Sequence, residues 1–444
     1  MFERVFRKKL VEYLDGNNLI CNAQHGFRTG KSCLTQLLIH IDEILENGLQ
    51  GLETDVIYLD FAKAFDKVDH EILIQKLISF GIDGPALAWL RNFLSGRYQT
   101  VLVNGEKSFR SFVKSGVPQG SVLGPILFLL FINDLTKCLK HSTARLFADD
   151  VKIVKAISSV EDTELLQEDL RNVQIWAAQN NMELNEDKFQ YICHSFKSKL
   201  LDVLPFANEF KEYSTLKGTS LEALDNVVDL GIDISSGLSW SKHIGSMVTK
   251  ATQTLGWVLS VFADRSIQTM LLLYKCYVRS KLEYGCPLWH SSKISDIQMI
   301  ESVQRTFTSK IIGMGTLNYW QRLEKLGIQS LQRRRERFII FYVWKILNGL
   351  INNDLNFQFK FSDRRGITAV IKPLVNSGSK AQTVYDNSFA ISALKLWNIL
   401  PAEITLLTSF PNFKYAVDNY LRNVPDKPPI QGYPYVNNNS LFSI

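Results

Sequence analysis

Asp60, Asp149 and Asp150 are the residues of this chain whose type and setting best suit shared chemistry. Asp60 lies in a short apolar run, DVIYLDF (55–61), and the Asp149–Asp150 pair separates two more, ARLFA (144–148) and VKIVKAI (151–157). An aspartate pair in a hairpin is ordinarily only a turn, because the short carboxylate side chain bonds its own backbone there. These flanks, however, are too apolar for an exposed loop. If the runs are neighbouring strands, three like charges converge at their ends. Two unit charges about 4 Å apart repel by about 4 kcal/mol at an effective dielectric near 20. Such a cluster takes up protons or a cation. Hard oxygen ligands suit Mg²⁺, which is held by one or two carboxylates together with substrate phosphates. That arrangement serves two-metal phosphoryl transfer.

The elements that must position these aspartates can be read from local pattern. Residues 1–50 read as helical, with Leu34, Leu37, Leu38, Ile41 and Leu45 at helical spacing and Gly48 as a stop. Residues 55–61 read as a buried strand. Asp69 is placed to cap a helix through Ile72, Leu73, Lys76 and Leu77 that ends at Gly81, and a second helix runs around Leu87 to Leu94. Residues 99–103 and 109–114, joined through Asn104-Gly105, predict a hairpin with a tight turn. The run Val122 to Ile132 predicts a buried helix, being too short for the roughly 20 residues that cross a bilayer. The segments flanking Asp149-Asp150 predict a second hairpin, and Ser159 caps a long helix carrying Leu165, Leu166, Leu170, Val173 and Trp176. Strand-like pieces follow at 182–194 and 227–234. Beyond Trp240 the pattern is helical and basic. It weakens past Asn348, and the tail after Pro425 is expected to be loose. The first 235 residues thus read as α+β and the rest as largely α.

Composition narrows the function classes. A chain of 444 residues is expected to hold two or three domains. With 46% hydrophobic and 21% charged residues it is not mainly disordered. The net charge of +6 is uneven: residues 240–345 hold 16 Lys/Arg and 6 Asp/Glu, a net +10, leaving −4 for the remainder. A basic lobe beside a less basic body suits a bound polyanion, or simply a solvated helical face. Within that lobe, Gln332-Arg333-Arg334-Arg335-Glu336-Arg337 reads as a basic helical stripe, able to follow a phosphate backbone or to face solvent without a partner. Six scattered cysteines with no CxxC pair support neither a zinc knuckle nor a disulfide framework, which fits a reducing compartment. No apolar segment follows the basic N-terminus to form a signal peptide. The stretch GFRTGKS (26–32) imitates a phosphate-binding loop, but has three residues between its glycines where four are needed, which argues against an ATPase.

Taken together, QHGFRTGKSCLTQLL (24–38), YLDFAKAFDKVDH (58–70), SGVPQGSVLGPILFLLFINDL (115–135), FADD (147–150) and LNEDKFQ (184–190) resemble, in order and spacing, successive blocks of the reverse transcriptases of non-LTR (LINE-type) retrotransposons, close to the jockey-like group. Weaker similarity continues through LGIDISSGLSWSKHI (230–244) and YKCYVRSKLEYGCPLWH (274–290). The resemblance implies a right-hand polymerase fold: a partial fingers region (1–54), a palm with an antiparallel sheet (55–238), a basic helical thumb-like region (239–348) and a C-terminal region of unassigned role (349–444). It implies catalytic, metal-holding roles for Asp60, Asp149 and Asp150. Phe65 matches the aromatic steric gate that crowds a 2′-hydroxyl, against the plain alternative of core packing. Pro118-Gln119-Gly120 matches the loop that positions template and incoming nucleotide. Lys188 matches a lysine that neutralises or protonates the leaving pyrophosphate, and Arg28 with Lys31 falls in the block that touches template or triphosphate.

The implied activity is RNA-directed DNA polymerisation with Mg²⁺, for which Mn²⁺ can substitute, acting on an RNA template, a DNA primer and dNTPs, with no membrane involvement. Oligomeric state stays open, as does compartment, a nuclear one being in keeping with a retrotransposon protein. The chain departs from the family pattern by beginning inside the fingers, so it is expected to be a fragment or truncated copy of a longer element protein. The rival reading is a truncated or repurposed copy that binds nucleic acid without useful catalysis. A group II intron maturase shares the polymerase core, but the region after 240 resembles the retrotransposon tail.

Overall fold

The computed structural model describes residues 1–196, 212–352, 355, 357–362, 366–371, 380–431, 439 and 441. They form two units, one of Met1–Gln36 and Leu52–Asp225, the other of Leu37–Gly51 and Asn226–Ile444. In chain order the first unit holds α1 (Phe2–Gly16), the start of α2 (Cys33–Leu49), β1 (Glu53–Leu59), α3 (Ala64–Lys67), α4 (His70–Ser79), α5 (Gly84–Leu94), β2 (Tyr98–Gln99), β3 (Leu102–Val103), β4 (Glu106–Lys107), β5 (Ser111–Phe112), α6 (Gly124–Ile132), β6 (Thr143–Phe147), β7 (Asp150–Ile157), α7 (Val160–Gln179), β8 (Gln190–His194), β9 (Tyr213–Ser214) and β10 (Ser220–Leu221). The helix α2 belongs to both: it starts in the first unit, and from Leu37 onward it is part of the second.

A four-stranded antiparallel sheet in the order β6-β7-β1-β8 organises the first unit. β1 is central and buried at six of its seven positions: Val56, Ile57 and Leu59 on its apolar part, and Glu53, Thr54 and Asp55 as buried polar residues. α6 is apolar on every side because every residue but Pro125 is buried. The caps work as their residue types require: Asp69 Oδ1 accepts from the Ile72 N–H at 3.0 Å. Ser159 and Asp162 form a reciprocal capping box at the start of α7.

The second unit opens with a short hairpin, β11 (Asn226–Asp229) and β12 (Ile232–Ser235). It continues with α8 (Ser241–Val261), α9 (Ile267–Leu273), a π-helical turn (Tyr274–Arg279), α10 (Ser280–Glu283), α11 (Ile294–Ser309), α12 (Tyr319–Leu326) and α13 (Leu331–Leu347). Past Asn348 it is more ordered than its Asn, Ser and Pro clusters suggest: β13 (Phe357–Ser362) pairs with β14 (Gly366–Ile371), followed by α14 (Lys380–Tyr385), α15 (Phe389–Asn398), α16 (Ala402–Thr405) and α17 (Phe410–Arg422). Nor is the tail loose where it is described. Asp426 accepts from Ser330 N–H (2.7 Å) and Oγ (2.6 Å), Asn439 and Leu441 are buried, and the Leu441 N–H donates to Glu336 (3.1 Å). Of that tail, residues 432–438, 440 and 442–444 lie outside the described residues.

The basic stripe at 332–337 is neither an exposed face nor a continuous polyanion track. Gln332, Arg333, Arg335 and Glu336 are buried, while Arg334 forms a paired contact with Glu283 and Arg337 one with Asp418. Carboxylates far away in sequence take up these charges, and Glu301, buried beside the same cluster, is pushed up to about 7 by its burial. Arg335 is the outlier: none of its guanidinium nitrogens has a hydrogen-bond partner among the described residues, and its charge lies 5.8 Å over the Trp289 ring. A buried guanidinium without hydrogen-bond partners bears a desolvation cost of several kcal/mol that an apolar residue of similar volume does not. Arg335→Met is therefore expected to hold or raise the melting temperature in a thermal scan, and a fall of more than about 4 °C would show a net stabilising role.

Candidate active site

The register of the central strands brings the carboxylates together. β1 and β7 pair with Leu59 opposite Val151, so one residue further Asp60 comes alongside the β6–β7 turn that carries Asp149. Asp60 is fixed by its backbone: its carbonyl accepts from the Asn185 N–H at 2.8 Å, Phe61 bridges Leu184, and the Ala62 N–H donates to the Glu183 carbonyl at 2.8 Å. That clamp delivers the short 3₁₀ turn Glu186–Lys188, and Lys188 Nζ stands 3.4 Å from Asp60 Oδ2.

Asp149 occupies a two-residue turn with Ala148, whose φ of +56° is a left-handed conformation that a β-carbon disfavours. Something must hold it, and that is Gln24. The Gln24 side chain is 1% exposed; its Oε1 accepts from the N–H groups of Ala148 (2.9 Å) and Gly26 (2.7 Å), and its Nε2 donates to the Ala148 carbonyl (3.3 Å). The segment around it also lies parallel along β6: the Leu146 N–H donates to the Ala23 carbonyl and the His25 N–H to the Leu146 carbonyl. Asp149 is half-buried, and burial, reinforced by the nearby negative charge of Asp60, pushes its carboxyl above the ordinary range. Asp150, the first residue of β7, is exposed. The structure thus couples Asp149 electrostatically to Asp60. Among the described residues no group of three acidic, His or Cys side chains is arranged to hold a metal.

The remaining expected residues are held by contacts of their own. The Phe65 ring stacks on Phe128 of α6 (4.3 Å between centroids, 19°) and meets the edge of Phe27 at 6.3 Å, so its position is set from beneath by the core. Gln119 is exposed, its Nε2 donating to Asp66 Oδ1 at 2.9 Å. Gly120 has φ +81° with open space where a β-carbon would stand. The segment before this loop is pinned to the turn bearing Phe65: Gly116 and Val117 donate their N–H groups to the carbonyls of Val68 (2.8 Å) and Phe65 (2.9 Å). Arg28 directs its guanidinium to the carbonyls of Ile20 and Cys21 and to Asp15, and Lys31 donates to the Asn22 carbonyl, so both tie down their own loop. Sequence reading missed Gln24 and Gly26 as supports of the aspartate turn, Asp66 as the holder of Gln119, and residues 183–185 as the clamp on Asp60.

Residues 1–261 match the family model described as reverse transcriptase (RNA-dependent DNA polymerase). The chain is 26% identical over 321 residues to the probable RNA-directed DNA polymerase from transposon X-element of Drosophila melanogaster, covering 70% of this chain and 34% of that protein. It is 26% identical over 333 residues, with the same coverage, to the RNA-directed DNA polymerase from mobile element jockey of Drosophila funebris. The chain therefore spans about a third of the length of these curated relatives. Among solved structures, telomerase from Candida albicans aligns with 76% of this chain and 55% of its own, at 12% identity and a TM-score of 0.46. No helix among the described residues is long and apolar enough to cross a membrane. With a family model matched over more than half its length, the chain belongs to the reverse transcriptase (RNA-dependent DNA polymerase) family, in its non-LTR retrotransposon group.

Proposed function

We propose that this chain is the polymerase portion of a retrotransposon reverse transcriptase, extending the 3′-hydroxyl of a DNA primer with dNTPs on an RNA template. The observation that carries the proposal is the Asp60–Asp149 pair, two like charges held together at one end of the sheet with Lys188 beside them. Such a pair fits a hard divalent cation, since Mg²⁺ takes one or two carboxylates and completes its shell with substrate phosphates and water. Mn²⁺ is expected to substitute. Bound there, the ion supplies positive charge that lowers the pKa of the 3′-hydroxyl and offsets charge on the departing pyrophosphate.

The chain's own residues do the rest. Asp60 and Asp149 would hold that cation, and Asp150, which follows the turn at the start of β7, serves as an outer carboxylate. Phe65, backed by Phe128, closes the space a 2′-hydroxyl would need and selects deoxynucleotides. Gln119, held by Asp66, and Gly120, which leaves its backbone open to close approach, receive the incoming base pair. As the primer 3′-hydroxyl gives up its proton to water and its oxygen bonds the α-phosphorus, the bond to the bridging oxygen breaks and Lys188 donates a proton to the pyrophosphate, regaining one from solvent afterwards. Arg28 and Lys31 act one step back, by keeping the Gln24 segment in place. A nuclear place of action accords with this reading.

Primer extension on an oligo(dT)-primed RNA template tests the proposal, with and without Mg²⁺ or Mn²⁺. Metal-dependent incorporation of deoxynucleotides in preference to ribonucleotides is the expected result. A folded chain that binds primer-template yet incorporates nothing would sink it. Lys188→Ala is expected to lower kcat by roughly 10²-fold with little change in dNTP KM, as for a general acid. A rise in KM of similar size with kcat unchanged would instead assign Lys188 to ground-state binding.

A further inference from the structure

Every residue from Tyr98 to Phe112 is exposed. They form a two-stranded ribbon in which β2 pairs with β5 and β3 with β4, closed by Asn104 (φ +50°) and Gly105 (φ +90°) in the tight turn that this dipeptide favours. Two strands alone are marginal in water, and nothing in the fold requires this ribbon's side chains to be apolar. Yet Phe109 is 100% exposed, Val101, Leu102 and Val103 are each above 60%, and Tyr98 and Phe112 are near half. An apolar, aromatic surface of this kind marks a binding site.

Its charges say for what. Lys107, Arg110 and Lys114 are interleaved with the aromatic residues, and Glu106 is the single carboxylate between Tyr98 and Lys114. The Arg110 guanidinium lies 4.0 Å over the Tyr98 ring, and Phe112 meets that ring edge-on at 5.2 Å. A second copy of the chain would bring the same cations against these, which disfavours self-association. Aromatic faces alternating with cations suit stacked bases and phosphates, the recurring device for single-stranded nucleic acid.

The ribbon's foot is joined to the candidate active site. The Val113 N–H donates to the Arg97 carbonyl (3.0 Å), Arg97 Nη2 donates to the Gly116 carbonyl (2.7 Å), and Ser115 Oγ donates to the Asp66 carbonyl (2.8 Å). The ribbon thus grows from the framework that presents Phe65, Asp66 and Gln119. We propose that Tyr98–Lys114 is a guide for the single-stranded RNA template, stacking its bases on Tyr98, Phe109 and Phe112 and holding its phosphates with Lys107, Arg110 and Lys114. The identity of that RNA as template rests on the polymerase reading; the binding of single-stranded RNA does not.

The test is the affinity of the full chain for a short fluorescein-labelled, uridine-rich RNA, measured by anisotropy without metal or dNTP across a salt series. A Tyr98→Ser/Phe109→Ser/Phe112→Ser variant is expected to bind on the order of 10–100-fold more weakly. A Lys107→Ser/Arg110→Ser/Lys114→Ser variant is expected to flatten the salt dependence by roughly two units of slope. Iodouridine placed in the RNA is expected to photocrosslink to the three aromatic residues of the unaltered chain, which keeps the proposal testable if a variant misfolds. Unchanged affinity and slope, or crosslinks elsewhere, would overturn it. So would unchanged RNA binding combined with a shift in sedimentation, which would assign the ribbon to a protein interface. Asp149→Asn separates the two readings: it is expected to abolish incorporation while leaving ribbon binding intact. Ribbon-dependent RNA binding by an unaltered chain that does not polymerise would remove only the polymerase reading.

Discussion

Asp149→Asn is expected to lower nucleotide incorporation by on the order of 10³-fold or more, because one of the two coupled carboxylates that fit the cation is then neutral. The same substitution is expected to make the metal-free protein more stable at neutral pH. Burial and the charge of Asp60 raise the folded-state pKa of Asp149 above its unfolded value. A carboxyl so raised binds its proton more tightly in the folded state, so its contribution to stability falls as pH rises through the ordinary carboxylate range and stays low above it. Asparagine, nearly isosteric and uncharged, removes that penalty. Thermal scans in chelator should show the variant melting about 1–3 °C above the unaltered chain at pH 7, the difference shrinking through the ordinary carboxylate range and vanishing below it, where both carry a neutral side chain. Added Mg²⁺ should reverse the order at neutral pH by stabilising only the unaltered chain, through selective binding to its folded state. A variant that melts lower in chelator, or retains metal stabilisation, would contradict the assignment of Asp149 as an electrostatically loaded ligand.

The second large effect comes from a residue with no reactive group. A β-carbon on Gly26 would lie 2.4 Å from the Ala148 nitrogen and 3.1 Å from its Cα, both backbone atoms of the turn that carries Asp149. Neither contact can relax by swinging a side chain away, so Gly26→Ala must displace the turn or the Gln24 segment. A displacement approaching 1 Å at a reacting group costs about 10²-fold in rate. The expected result is a drop of that size in primer extension together with weaker Mg²⁺ binding, and a stability loss of about 1–3 kcal/mol from overpacking. Gly256, inside α8 with nothing within 4 Å of its would-be β-carbon, is the control. There alanine is expected to be neutral or to stabilise by up to about 1 kcal/mol, because a mid-helix glycine gives up more backbone freedom on folding. Full activity in Gly26→Ala would falsify the role of this close approach.

What could be read in advance follows a physical division. Strands carrying continuous apolar runs, the Asn104-Gly105 turn, and the caps at Asp69 and Ser159 all obey local rules, so their places were legible. So were Asp60 and Asp149, since a carboxylate at the end of an apolar run carries a desolvation cost that ordinary packing does not offset. The exposed setting of Asp150 was not legible, because two adjacent aspartates look alike until strand register separates them. Gln24 was hidden for a different reason: its three hydrogen bonds include two to a residue 124 positions away, and no local pattern reports such a bond. The arginine-rich helix shows the same limit with its sign reversed. Four arginines look like a surface until Glu283 and Asp418 arrive from elsewhere in the chain to receive two of them.

The division of α2 between the two units bears on how the protein is made. Leu37, Leu38, Ile41, Ile44 and Leu45 are all buried in the finished fold, yet the unit they belong to resumes only at Asn226. A ribosome adding about 5–20 residues per second leaves these side chains waiting roughly 9–35 s for that unit to emerge. During that interval the first unit can complete its sheet while an apolar helix face stays uncovered. The nascent chain is thus a natural client for chaperones that recognise such faces. Any product ending before residue 226, whether from early termination or proteolysis, keeps that face exposed and is correspondingly prone to aggregate.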